Sequence, residues 1–286
     1  MITLRMDDKQ NSSRDPQSAD RALEKKTFDY AIATDAGRVR KNNEDKAGAA
    51  PEMYLFVLCD GMGGLEAGER ASALAVETVL AEVGTAAKTA QPSAEGLSVA
   101  IEHANEKIFK LAHDSGLKAG MGSTIVAVQF HGERAIVAHV GDSRVYRLRR
   151  AEFSQVTDDH SFVAEQVRRG ILTQEEASRS QLQNILIRAL GVEPTVLVST
   201  TEELLLDGDT FLLCSDGLTR ELSDSQIAGV LDEADSAQDA VDTLVRLANE
   251  AGGEDNITAI VIRSGKSRGG VRKTIGKWFK NSDETV

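Results

Sequence analysis

Apolar positions along the chain follow two rhythms. Short runs rich in β-branched and aliphatic residues, bounded by Gly, Asp or Asn, predict strands at 28–34, 53–59, 123–130, 135–140, 144–149, 195–200, 210–214 and 257–263. Between them, apolar residues recur every three or four positions and predict helices over 66–83, 94–114, 223–233 and 237–251. The short connections "HGE" at 131–133 and "GDS" at 141–143 predict hairpins, so much of the sheet is expected to be antiparallel. Strands grouped in hairpins, with helices inserted in blocks, indicate an α+β fold rather than a doubly wound parallel sheet. Residues 1–26 are polar and aperiodic and are expected to form a flexible N-terminal segment. From 27 to 263 no linker or internal repeat divides the chain, so one domain is expected there, followed by a tail over 264–286.

Composition narrows this picture only slightly. At 41% hydrophobic and 27% charged residues the chain is an ordinary globular one, and with 4% aromatics its core must rest on Val, Ile, Leu and Ala. The formal net charge of −12 argues against general nucleic-acid binding, which depends on neutralising phosphates. The two cysteines, Cys59 and Cys214, sit in apolar runs without zinc spacing and read as reduced core thiols. No apolar h-region opens the sequence and no run reaches eighteen apolar residues, so a cytoplasmic location is expected.

The chemistry lies at the strand ends. Asp60 and Asp216 follow apolar strands and precede glycines in "LFVLCDGMGG" and "FLLCSDGLT"; Asp142 follows "AIVAHVG", and Asp255 precedes "NITAIVIR". Taken singly, each reads as a turn residue. Taken together, carboxylates on converging rims would repel one another and rise in pKa unless a divalent cation bound them. Without a cysteine or histidine cluster, that ion would be Mg²⁺ or Mn²⁺, and Gly61 would leave its own carbonyl open to it. Phosphate-loop, GxSxG and HExxH patterns are absent, and the five histidines are scattered as structural residues. The spacing alone leaves open whether the rims meet.

Eight segments in order, "GRVRKNNEDK" (37–46), "CDGMGGLEAGERAS" (59–72), "MGSTIVAV" (121–128), "AHVGDSRVYRLR" (138–149), "VTDDHS" (156–161), "RALG" (188–191), "LLCSDGLT" (212–219) and "EDNIT" (254–258), resemble the bacterial form of the metal-dependent Ser/Thr protein phosphatases of type 2C. The resemblance implies a central sandwich of two antiparallel β-sheets flanked by helices (α-β-β-α), with a flap subdomain over about 161–187 and a dinuclear metal site at one edge. It implies that Asp60 bridges two ions of Mn²⁺ or Mg²⁺, that the Gly61 carbonyl binds one, and that Asp216 and Asp255 complete the other. Asp45 would hold metal-bound water with Glu44 beside it, Asp142 with Asp216 would form a weaker third site, and Arg40 would hold the substrate phosphate. The implied reaction is hydrolysis of phosphoserine and phosphothreonine on proteins by a water activated between two cations, opposing a bacterial Ser/Thr kinase. Met62 and Leu65 stand where relatives carry histidines, so protonation of the leaving alkoxide falls to water. His160 matches a family position and is read as structural. In the flap, Gly170 and the N-cap position of Thr173 predict two short helices around a turn.

The tail carries six Lys/Arg against two acidic residues, leaving −16 on residues 1–263. Val271, Ile275, Trp278 and Phe279 share a helical face, which allows a basic amphipathic contact with an acidic membrane surface or partner beside the reading of a plain basic tail. The alternative to a phosphoprotein phosphatase is a catalytically silent, phosphoprotein-binding member of the same fold. The presence of Arg40, Asp60, Asp216 and Asp255 disfavours it. A small-molecule phosphatase is the third reading, against which an open rim would count.

Overall fold

A computed structural model describes residues 27–63, 66–114 and 120–265. Two antiparallel sheets stack face to face. One runs β1 (Phe28–Asp35), β11 (Ile257–Ser264), β10 (Thr210–Cys214), β7 (Arg144–Arg149) and β8 (Glu152–Gln155). The other runs β2 (Asp45–Ala50), β3 (Leu55–Met62), β5 (Ile125–His131), β6 (Arg134–Val140) and β9 (Ser199–Leu204), and β4 (Gly122–Ser123) pairs with the end of β3. Helices α1 (Ala67–Ala86) and α2 (Ala94–Asp114) cover the second sheet. Helices α5 (Asp216–Glu221), α6 (Asp224–Glu233) and α7 (Ala237–Ala251) cover the first. The architecture is the expected α-β-β-α sandwich.

Every central strand is buried on both faces, so the period of two in its sequence is hidden. Along β3, Leu55, Val57 and Cys59 face the helical layer, while Phe56 and Leu58 face the opposite sheet. On β11, Ile257, Ala259 and Val261 face α5–α7, and Ile260 and Ile262 enter the space between the sheets. Such strands read as continuous apolar runs because neither face meets water. The aliphatic core is as expected, with one addition: a cluster of phenylalanines fills the space between the sheets, where Phe130 lies 4.8 Å from Phe28 and 5.3 Å from Phe211, ring to ring. Cys59 and Cys214 belong to opposite outer layers, fully buried and free, as the thiol reading required.

Three expectations change. The "GDS" turn is not a hairpin, because β6 and β7 belong to different sheets; residues 141–143 cross from one to the other, with Gly141 at φ +107°. The strand expected at 195–200 begins later, at Ser199, and runs through the polar "STTEEL" on the sheet edge beside β6. The "DGLT" segment after β10 is the first turn of α5 rather than a loop. The flap forms α3 (Phe162–Arg168) and α4 (Gln174–Ser178), the latter opened by a reciprocal capping box between Thr173 and Glu176. Among the described residues no helix is long and apolar enough to cross a membrane. The N-terminal segment 1–26, Leu65, and the amphipathic face of Val271, Ile275, Trp278 and Phe279 lie outside the described residues.

Candidate active site

The edge at which the two sheets meet is built by strand pairing. Antiparallel register sets Asp45 opposite Asp60, so the start of β2 and the end of β3 deliver carboxylates to one rim. β3 is anchored there: the Asp60 amide donates to Thr124 Oγ1 (3.0 Å), and the Asp60 carbonyl accepts from the Thr124 amide (2.8 Å) and Ser123 Oγ (3.0 Å). The crossover at 141–143 brings Asp142 to the same rim. β10 delivers Asp216 as the first residue of α5, and the loop before β11 delivers Asp255. A cleft of about 450 Å³ opens on this edge, lined by Arg40, Glu44, Asp60, Asp142, Asp216 and Asp255 among others. Of the predicted site residues only Asp45 is not part of its lining; it lies behind, with Oδ2 accepting from Ser215 Oγ at 2.7 Å.

Gly61 is required for a reason other than the one its sequence suggested. A Cβ there would stand 2.1 Å from the carbonyl oxygen of Gly68 and 2.6 Å from that of Glu44. The missing side chain lets the first turn of α1 close onto β3, with the Gly61 amide donating to the Glu44 carbonyl at 3.1 Å. The loop carrying Arg40 and Glu44 is held by Asn256, at the head of β11. Its Nδ2 donates to the carbonyls of Ala36 (3.0 Å) and Asn42 (2.9 Å), and its Oδ1 accepts from the Glu44 amide (2.8 Å).

Electrostatics make the rim costly. Burial, followed by the charges of Asp45, Asp216, Asp142 and Asp255, pushes the Asp60 carboxyl well above the usual range. Burial likewise lifts Asp45 and Asp142 to about 7, and Asp45 is tempered only by the nearby Thr258 and Ser215 hydroxyls. Asp216 and Glu44 are also raised, burial again the main cause. Two guanidinium groups answer this field. Arg40 Nη2 donates to Asp255 Oδ2 at 2.8 Å, and Arg220 reaches the same oxygen at 3.3 Å while pairing with Asp216.

The donor set fits hard divalent cations. Asp45 Oδ1 and Asp216 Oδ1 are buried without a hydrogen-bond partner, and carboxylates of raised pKa surround them. Among the described residues no three acidic, His or Cys side chains are drawn together tightly enough to hold an ion as they stand. Asp255 and Asp216 are instead held in ion pairs by Arg40 and Arg220.

His160 is structural, as read. Its Nδ1 accepts from the Gly141 amide (3.2 Å), and its Nε2 meets Ser199 Oγ at 3.0 Å and Arg188 Nη1 at 3.2 Å. The ring stacks on His139, and burial lowers its pKa to about 3, so it stays neutral and steadies the turn that carries Asp142. The other contributions that spacing did not single out are Arg220, Asn256, Ser215, and the flap residues Asn184 and Leu186, which line the cleft. Arg220 was legible only as the position four after Asp216, and that counts once "DGLT" is known to be helical.

A sandwich of antiparallel sheets with buried carboxylates along one rim, beside a half-exposed guanidinium, defines a class: a protein that holds cations at a sheet edge and can receive an anion next to them. The family model for protein phosphatase 2C matches residues 36–261. The serine/threonine phosphatase stp of Listeria welshimeri is 38% identical over 235 residues, covering 80% of this chain and 93% of that protein. The protein phosphatase PhpP of Streptococcus pneumoniae is 37% identical over 243 residues, covering 82% and 97%. Among solved structures, the catalytic domain of the serine/threonine protein phosphatase PstP in complex with two manganese ions superposes with a TM-score of 0.74 at 35% identity, covering 84% of this chain and all of that one. The chain belongs to the protein phosphatase 2C family.

Proposed function

We propose that this protein hydrolyses phosphoserine and phosphothreonine on proteins and so opposes a Ser/Thr kinase. The observation that carries the proposal is the meeting of Asp60, Asp142, Asp216 and Asp255 in one cleft with Arg40 at its mouth. In this reading Asp60 would be shared by two ions of Mn²⁺ or Mg²⁺, Asp216 and Asp255 would complete the ligands of one, and the Gly61 carbonyl would serve the other. Glu44 borders the cleft and Asp45 backs it, positioned to orient bound water. When present, the ions supply an activated water and neutralise phosphoryl charge.

The chain's own groups do the rest. Among the described residues no Ser, Cys or His lines the cleft, and the hydroxyl that does, that of Thr124, is engaged with the Asp60 amide and with Ser143 Oγ at 2.7 Å. This reading therefore gives the attack on phosphorus to water rather than to a side-chain hydroxyl or thiol. Arg40 has a side chain 56% exposed and can swing from Asp255 to present its planar fork to two phosphate oxygens. Met62 stands on the cleft wall and cannot give a proton, so solvent protonates the leaving alkoxide. The cleft's open edge and its flap border, Asn184 and Leu186, suit a residue on a protein surface better than an enclosed small molecule. The intact set of Arg40, Asp60, Asp216 and Asp255 weighs against a silent binding member. Buried, unpaired thiols suit the cytoplasm.

Hydrolysis of a phosphothreonine peptide with Mn²⁺, with EDTA, and by Asp216→Asn tests this reading. Turnover that requires metal and collapses in the variant is expected. A folded, Mn²⁺-loaded wild type without turnover would overturn it in favour of the binding member.

A further inference from the structure

The connection from β1 to β2, residues 36–44, contains neither helix nor strand and carries Arg40 at its midpoint. One side chain grips both of its ends. Asn256 Nδ2 donates to the Ala36 carbonyl (3.0 Å) where the loop starts and to the Asn42 carbonyl (2.9 Å) near its close, and Asn256 Oδ1 accepts from the Glu44 amide (2.8 Å). Two acceptors and one donor meet this amide, which matches the hydrogens and the oxygen an asparagine offers. Asn256 is buried and directly follows Asp255, whose Oδ2 accepts from Arg40 Nη2 at 2.8 Å. The same loop docks on the turn before β11 through its backbone. The Arg38 amide donates to the Gly253 carbonyl at 2.7 Å, and a Cβ on Gly37, at φ +78°, would stand 2.2 Å from the Asp255 carbonyl oxygen.

We propose that Asn256 positions Arg40 for phosphate: its amide ties both ends of the 36–44 loop to the head of β11, so the guanidinium meets each phosphate from a fixed backbone beside Asp255. The Arg40 side chain, 56% exposed, keeps its own rotations, while the loop that carries it is already ordered. An untied loop would have to be ordered at the moment of binding, and that entropy would be lost from the affinity for phosphate. Asn256 is a positioning residue: both of its amide hydrogens are spent on the loop, and it acts on phosphate through Arg40. This inference rests on the reading of Arg40 as the phosphate ligand in the proposed function.

The test is a double-mutant cycle between Asn256→Asp and Arg40→Ala in the full-length, Mn²⁺-loaded protein, read as kcat and KM on a phosphothreonine peptide and as the Kd of inorganic phosphate by calorimetry. Asn256→Asp keeps the shape and the acceptor for the Glu44 amide but turns an oxygen on the two carbonyls. It is expected to raise KM and the phosphate Kd by roughly tenfold, with a smaller change in kcat and with bound Mn²⁺ as in wild type. In the Arg40→Ala background the same substitution is expected to change either constant by less than about twofold, because the group it positions is gone. Gly37→Ala, which loosens the loop without touching Asn256, is expected to give the same pattern and serves if the aspartate variant fails to fold, as judged by circular dichroism. A folded variant with wild-type phosphate affinity would overturn the proposal. So would an equal loss with and without Arg40, or a loss that tracks the departure of Mn²⁺, since Asn256 would then act on the domain or on Asp255. A wild type that binds phosphate but turns over no peptide would overturn the phosphatase reading alone, and the phosphate titrations still decide the proposal. A wild type whose phosphate affinity is indifferent to Arg40→Ala would overturn the proposal together with the role of Arg40 on which it rests.

Discussion

Ser215 offers the sharpest test of how the rim is built. It caps α5 by position but gives that helix no side-chain hydrogen bond, because its hydroxyl is spent elsewhere. Ser215 Oγ donates to Asp45 Oδ2 at 2.7 Å and accepts from the Thr258 amide at 3.0 Å, all fully or nearly fully buried, so it ties β2 of one sheet to β10 and β11 of the other. Ser215→Ala leaves the Thr258 amide orphaned and takes the 2.7 Å bond from Asp45 Oδ2, on a carboxylate whose Oδ1 already has no partner. A lost bond to a charged group and an unsatisfied buried amide together cost about 2–4 kcal/mol. For a domain of this size that lowers the unfolding midpoint by on the order of 5–10 °C. The loss has a pH signature. The folded Asp45 carboxyl titrates at about 7, above its ordinary 3.8, so its charged form is the strained one. Below that range the protonated group needs Ser215 less, and the penalty is expected to be larger at pH 8 than at pH 5. Urea unfolding of the EDTA-treated protein at both pH values measures this. A loss under about 0.5 kcal/mol at pH 8, or one indifferent to pH, would refute the reasoning.

Three further outcomes are expected. Arg40→Ala should lower kcat/KM on a phosphothreonine peptide by roughly 10²–10³, with Arg40→Lys recovering little because an ammonium cannot offer two parallel donors; unchanged kinetics in either variant would remove Arg40 from phosphate binding. Asp45 and Asp142 both titrate in the folded protein at about 7 against an ordinary 3.8, so stability of the EDTA-treated protein is full in acid and is lost as pH rises toward 7. Mn²⁺ must displace those protons, so the midpoint gain on adding Mn²⁺ should be larger at pH 8 than at pH 6, and an equal gain at both, measured by differential scanning calorimetry, would contradict it. Gly61→Ala places a methyl 2.1 Å from the Gly68 carbonyl and should cost at least about 1–3 kcal/mol by prising α1 from β3; a melt like that of wild type would show that the contact relaxes freely.

The central strands and long helices were legible in the sequence because each satisfies its periodicity or its burial within its own residues. β3, β5, β6, β10 and β11 are apolar runs, and α1, α2, α6 and α7 repeat every three or four positions. The strands that escaped, β2, β8 and β9, all lie at sheet edges. Their residues, "DKAGAA", "EFSQ" and "STTEEL", are small or polar because an edge strand is held by one neighbour's backbone rather than by burial. The aspartates and Arg40 were visible as residues, and the family pattern supplied their grouping. What only the tertiary structure decided was convergence. Residues 141–143 read as a hairpin in the sequence, and only the pairing of β6 and β7 with different sheets carries Asp142 to the rim. The same holds for Arg220, which joins the site because α5 starts at Asp216, and for Ser215 and Asn256, whose partners lie far away in sequence. Local pattern records what a segment does with its own neighbours; contacts closed between distant segments leave no period to read.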